Sequence, residues 1–136
     1  MKHERLELKN YFDFLGEEGR NPTLDIYLPY NMVEMKREKQ KRPCMLICPG
    51  GGYGMCSERE SEVVGLHFLP EGFNVFVLTY SVEPNRFPTQ IREVAAAVEL
   101  IYKNAEEWNC DTEKIAIMGF SAGGHLAAHY STMFDC

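Results

Sequence analysis

An α/β domain built around a parallel sheet is the fold class this sequence predicts, and three observations carry the expectation. Cys44-Met45-Leu46-Ile47-Cys48 and the Val- and Phe-rich stretch Phe73 to Tyr80 are continuous apolar runs, as expected of strands covered on both faces. Between Ile91 and Trp108 apolar residues recur at three- and four-residue spacing, the period of a helix with one buried face. From Cys44 onward such segments alternate in the order strand, helix, strand, helix, strand, helix, which is how a parallel sheet with crossover helices reads. With 136 residues, 45% of them hydrophobic, residues 1–136 form a single domain able to fill one core.

Each element has its own signal. Leu24-Asp25-Ile26-Tyr27-Leu28-Pro29 alternates with period two and ends at proline, which predicts a half-buried strand. Glu4 to Leu8 is its candidate hairpin partner. The polar segment Asn31 to Arg42 reads as a solvated connection with at most one helical turn. Ser57 with Glu60 forms a capping-box pattern, and Val63, Val64, Leu66, His67 and Phe68 are expected to make one apolar side of the helix that follows. Pro70 and Gly72 close that helix. Ile91, Val94, Ala95, Val98, Ile101, Tyr102, Ala105 and Trp108 line the apolar face of the next one, with Trp108 in the core. Lys114 to Met118 is a short strand, followed by Gly119-Phe120-Ser121-Ala122-Gly123-Gly124 and an Ala-rich helix start.

Composition removes several function classes. The formal charge is −6, from 20 acidic and 14 basic residues. The densest basic stretch, Lys36 to Arg42, is interrupted by Glu38 and Gln40, so nucleic acid is not an expected partner. Met1 to Asn10 lacks the apolar centre of a signal peptide and no apolar stretch is long enough to span a bilayer. The expectation is a soluble cytoplasmic protein without a membrane role. Five cysteines at irregular spacing, two of them in an apolar strand, read as buried free thiols. Cys44 and Cys48 do not make a Cys-x-x-Cys pair and no His lies near them, so no metal and no cofactor is expected.

The chemistry is carried by Gly119-x-Ser121-x-Gly123 between a strand and a helix. This is the pattern of a nucleophile elbow, a turn so tight that it lifts the serine hydroxyl clear of the sheet edge. Side chains at 119 or 123 would crowd the neighbouring backbone. A helix starting after Ser121 aims N–H groups and positive dipole at a developing oxyanion, with the Ala122 N–H as the expected donor. By itself the pattern also fits a close strand-to-helix packing turn. Gly50-Gly51-Gly52, after an earlier strand, adds independent support, since three glycines leave backbone donors unshielded. A phosphate-binding loop is the competing reading of that run, but neither Gly-x-Gly-x-x-Gly nor Gly-Lys-Ser/Thr is present.

On these residues the chain resembles the α/β-hydrolase esterases and lipases, particularly bacterial carbohydrate acetyl esterases. The matching pieces are Leu24 to Pro29, Cys48-Pro49-Gly50-Gly51-Gly52-Tyr53, Phe73 to Tyr80 and Ile117 to Ala127. The resemblance implies an α/β-hydrolase fold, a mostly parallel sheet with flanking helices, truncated here after the nucleophile elbow. It implies Ser121 as nucleophile, with Gly51, Gly52 and Ala122 forming the oxyanion hole. Pro49 stands where many lipase-like relatives have histidine. The implied substrate is a small-molecule or carbohydrate ester carrying a short acyl group.

In this fold the triad runs Ser, then Asp or Glu, then His along the chain, whereas only His125, His129 and Asp135 come after Ser121. Both histidines fall on the helix leaving the elbow, which carries them behind the serine, so they read as packed or surface residues. His67 sits on another helix and His3 in a terminus expected to fray. Glu58, Arg59 and Glu60 suit a helix N-terminus, while Tyr53 fits either a substrate pocket or loop packing. Two functional expectations therefore stand side by side: a serine esterase acting through Ser121, and a catalytically incomplete remnant with no activity of its own. A strand Ile115 to Met118 with nothing beyond it would also leave an open sheet edge, through which the chain is expected to self-associate.

Overall fold

The two apolar runs become adjacent parallel strands. The computed structural model describes residues 1–12, 15, 22–36, 39–50, 62–80, 89–119 and 127. Its strands are β1 (Lys2–Glu7), β2 (Thr23–Leu28), β3 (Arg42–Cys48), β4 (Asn74–Thr79) and β5 (Cys110–Gly119). Its α-helices are α1 (Glu62–Phe68), α2 (Thr89–Lys103) and α3 (Ala105–Trp108). The five strands form one sheet in the order β1-β2-β4-β3-β5. β3 runs parallel to both β4 and β5, whereas β1 and β2 are antiparallel to each other and β2 is antiparallel to β4. The expected α/β architecture is present, with its parallel part confined to β3, β4 and β5.

Helices cover both faces of this sheet. On one face Leu24, Ile26, Leu46, Phe76 and Leu78 pack with Val94, Ala97 and Ile101 of α2 and with Trp108 of α3. On the other face Tyr27, Met45, Ile47, Val75 and Val77 pack with Val64 and Phe68 of α1. The period-two alternation of the strands thus divides their side chains between two cores. Trp108 is buried against Phe76, ring centroids 5.8 Å apart, as its place in the apolar pattern requires.

Several expectations are corrected. β2 is buried on both faces and not half-buried, because side chains of β1 lie over its one charged residue, Asp25. The Asp25 carboxylate accepts hydrogen bonds from Arg5 Nε at 2.9 Å and His3 Nε2 at 3.2 Å, and His3 stacks on Tyr27 at 4.4 Å. Arg5–Asp25 and His3–Tyr27 are cross-strand partners in the β1–β2 register, so His3 belongs to an ordered strand and not to a frayed end. In α1, Val63 and Leu66 are exposed, 58% and 49%. The helix meets the sheet through Gly65, where an added Cβ would lie 2.9 Å from Val75 Cγ1, and Val64 and Phe68 flank that contact. Its Ser57–Glu60 capping pattern lies outside the described residues.

The long helical pattern is two helices. α2 stops at Asn104, whose Nδ2 donates to the Leu100 carbonyl at 2.9 Å, and α3 ends at Asn109 in the left-handed region, φ 54°. Tyr102, expected on the buried side, is 48% exposed. The last strand is also longer than Lys114 to Met118, since it begins at Cys110 beside Arg42; a register irregularity separates that pair from Cys44–Ile115. Gly72 closes the segment after α1 in the left-handed region, φ 91°, as its position predicts.

Burial and the neighbouring Asp25 charge push the Tyr27 phenol up to about 12 from an ordinary value of 10.0. Between those values the folded chain holds a proton that the unfolded chain has released, so this contribution is complete below pH 10 and is lost as pH rises through about 12. At most about 3 kcal/mol is involved. Urea unfolding measured between pH 9 and 12 is expected to give a falling stability whose slope is shallower in Tyr27→Phe.

Candidate active site

The carboxyl ends of parallel strands are where an open α/β sheet binds ligands, because the loops leaving them converge there. β3, β4 and β5 end on one edge at Cys48, Thr79 and Gly119. Cys48 and Gly119 are register partners across the β3–β5 ladder, so the segments that follow begin from neighbouring strands about 4.8 Å apart. The first of these opens Pro49-Gly50-Gly51-Gly52. The second opens Phe120-Ser121-Ala122-Gly123. Residues remote in sequence thus leave the sheet side by side.

The start of the glycine run is held from the β4 side. Cys48, Pro49 and Gly50 are buried, and the hydroxyl of Tyr80, the residue after β4, donates to the Pro49 carbonyl. Tyr80 is itself buried. Sequence reasoning treats it only as the end of an apolar strand; the available signal is a tyrosine closing such a run, where a buried hydroxyl must find an acceptor. Ala127, in the Ala-rich stretch after the elbow, is helical and buried.

Ser121, Gly51, Gly52 and Ala122 lie outside the described residues, as do Tyr53, Glu58, Arg59, Glu60, His125, His129 and Asp135. Of the other histidines, His67 is exposed on α1 and His3 is engaged with Asp25 on the β1–β2 part of the sheet. His3 pairs with Tyr27, which pairs with Val75 near the opposite end of β4, so it is remote from the edge where the loops emerge. Among the described residues no group of His, Cys, Asp or Glu is arranged to hold a metal ion, and no helix is long and apolar enough to cross a membrane.

Cys44, Cys48 and Cys110 are buried free thiols, as expected from their spacing, while Cys56 and Cys136 lie outside the described residues. A hydrogen bond with the Cys110 sulfur, reinforced by burial, pushes the Cys44 thiol well above its ordinary range. It is therefore a neutral core group.

Residues 24–135 match the BD-FAE family. Over 138 residues the chain is 37% identical to endo-1,4-beta-xylanase B of Butyrivibrio fibrisolvens, covering 97% of this chain and 20% of that protein. It is 34% identical over 86 residues to an acetylxylan esterase of Xylanibacter ruminicola, covering 62% of this chain and 18% of the relative. Among solved structures, an α/β hydrolase from a Medee basin deep-sea metagenome superposes with a TM-score of 0.81 at 38% identity, covering 93% of this chain and 49% of that one. An acetyl ester-xyloside bifunctional hydrolase from Caldicellulosiruptor lactoaceticus gives 0.77 at 31% identity, covering 92% and 46%. The chain thus spans about a fifth of these curated relatives and about half of these solved structures. The family match over most of the chain, the sheet order and these superpositions agree: this chain belongs to the BD-FAE family and has the α/β-hydrolase fold over the N-terminal part that it spans.

Proposed function

We propose that this chain carries the nucleophile half of a serine carboxylester hydrolase. In this reading the Ser121 hydroxyl attacks an ester carbonyl, its proton passes through a base to the departing alcohol, and water then cleaves the acyl-enzyme to free acid and serine. The N–H groups of Gly51, Gly52 and Ala122 hold the oxyanion of both tetrahedral intermediates. No cofactor takes part in this scheme. The observation that carries the reading is the Cys48–Gly119 register pair, from which the glycine run and the Gly-x-Ser-x-Gly turn start on neighbouring strands.

Short acyl esters, acetyl esters of carbohydrates among them, are the substrates we favour, because relatives named as an acetylxylan esterase and an acetyl ester-xyloside hydrolase are among the similar proteins. Hydrolysis of p-nitrophenyl acetate, butyrate and octanoate, alongside acetate release from acetylated xylo-oligosaccharides, tests the proposal in the complete protein. Fastest turnover of the acetyl esters is expected; an absence of turnover on every ester would contradict it.

β5 bears on association as well. It is the last strand in the described sheet order, and Ile115, Ile117 and Met118 along it are only partly buried. An unpaired strand edge beside partly exposed apolar side chains pairs readily with another chain. Residues 1–136 produced alone are expected to dimerise or aggregate as concentration rises, measured by light scattering, and a monomer with a cooperative thermal transition at high micromolar concentration would count against this.

A further inference from the structure

We propose that Tyr80 is a positioning residue for ester hydrolysis, its hydroxyl fixing the direction in which the glycine run leaves β3. The inference rests on the reading of Gly51 and Gly52 as oxyanion donors. Proline has no N–H, so the carbonyl is the one backbone polar group of Pro49, and a buried carbonyl requires a donor. Tyr80 supplies it from across the sheet edge. In a planar trans peptide the carbonyl and the following N–H point in opposite directions. Holding the Pro49 carbonyl toward Tyr80 therefore turns the Gly50 N–H away from it and sets the orientation of the first peptide in the run.

That constraint bears on catalysis through the glycines themselves. Three successive glycines populate many more backbone conformations than other residues, whereas oxyanion donors work by being in place before the charge develops. A rigid anchor at residue 49 narrows the set of conformations open to residues 50–52. Tyr80 provides such an anchor, because its ring is buried in the main core together with Phe76 and Leu78 of β4. Phenylalanine would fill the same space and leave the carbonyl without this donor.

The test is Tyr80→Phe in the complete protein, read by steady-state kinetics and by backbone amide exchange, with Tyr27→Phe as the control for loss of a buried phenol elsewhere. The expected result is a kcat lower by about tenfold or more, KM within about twofold, and faster exchange at Gly50 to Gly52 with the β3 amides unchanged. Wild-type kcat together with unchanged exchange in the glycine run would overturn the proposal. Loss of the cooperative unfolding transition would also overturn it, since the hydroxyl would then be holding the fold and not the loop. If the wild-type protein hydrolyses no ester through Ser121, the catalytic role falls with the underlying reading, while the exchange data still decide separately whether Tyr80 orders the run.

Discussion

Replacing Ser121 by alanine in the complete protein is expected to lower ester turnover by about a millionfold, leaving the oxyanion and binding contributions alone. The expectation follows from the chemistry assigned to the elbow. Without Oγ there is no acyl-enzyme, and water must attack the ester directly with no group positioned to activate it at that face. Thermal stability should hardly change, because the nucleophile-elbow pattern places its serine hydroxyl clear of the sheet, where truncation removes little packing. Measuring kcat on p-nitrophenyl acetate together with the unfolding midpoint separates these effects. A Ser121→Ala protein within tenfold of wild type would place the nucleophile elsewhere.

Residues 1–136 produced alone are expected to hydrolyse the same ester about a millionfold more slowly than a complete triad enzyme, since loss of the base costs about as much as loss of the nucleophile. In the α/β-hydrolase order the acid and the histidine follow the serine. His125 and His129 follow Ser121 by four and eight positions and lie outside the described residues; on a helix that follows a nucleophile elbow, side chains at that spacing would point away from the serine hydroxyl. His67 and His3 are accounted for by the fold, one exposed on α1 and the other bonded to Asp25. Ordinary enzymatic turnover by this stretch that disappears in both Ser121→Ala and His125→Ala would identify His125 as the base and overturn this expectation.

The parts of the fold that can be read from the chain are those in which one segment contains the whole signal. β3 and β4 are such cases, since an unbroken apolar run needs no knowledge of its neighbours to be read as a strand covered on both sides. Gly72 is another, because its left-handed backbone follows from a local stop signal. Features created by pairing are hidden. Asp25 looks like the polar side of a half-exposed strand until β1 brings Arg5 and His3 over it. The sheet-facing side of α1 is marked by a glycine packed on Val75, where an apolar side chain would be sought, so the apolar pattern points Val63 and Leu66 inward. The break at Asn104 leaves the three- and four-residue apolar spacing nearly intact and is visible only in its hydrogen bond to Leu100.

The candidate site divides in the same way. Its residue types are local motifs, so Ser121 and the glycine run can be named from the chain. That the segments carrying them start from neighbouring strands depends on sheet order, in which β3 stands between β4 and β5, and sequence order alone does not give that. The bond from Tyr80 to Pro49 is a further product of the same order, joining two strand ends that lie far apart in the chain.

Covalent labelling tests the central claim most directly. The complete protein treated with a fluorophosphonate, digested and mapped by mass spectrometry is expected to carry one adduct, on the peptide containing Ser121, and Ser121→Ala is expected to carry none. An adduct on a different serine, or equal labelling of the alanine variant, would contradict the assignment of Ser121 as the nucleophile.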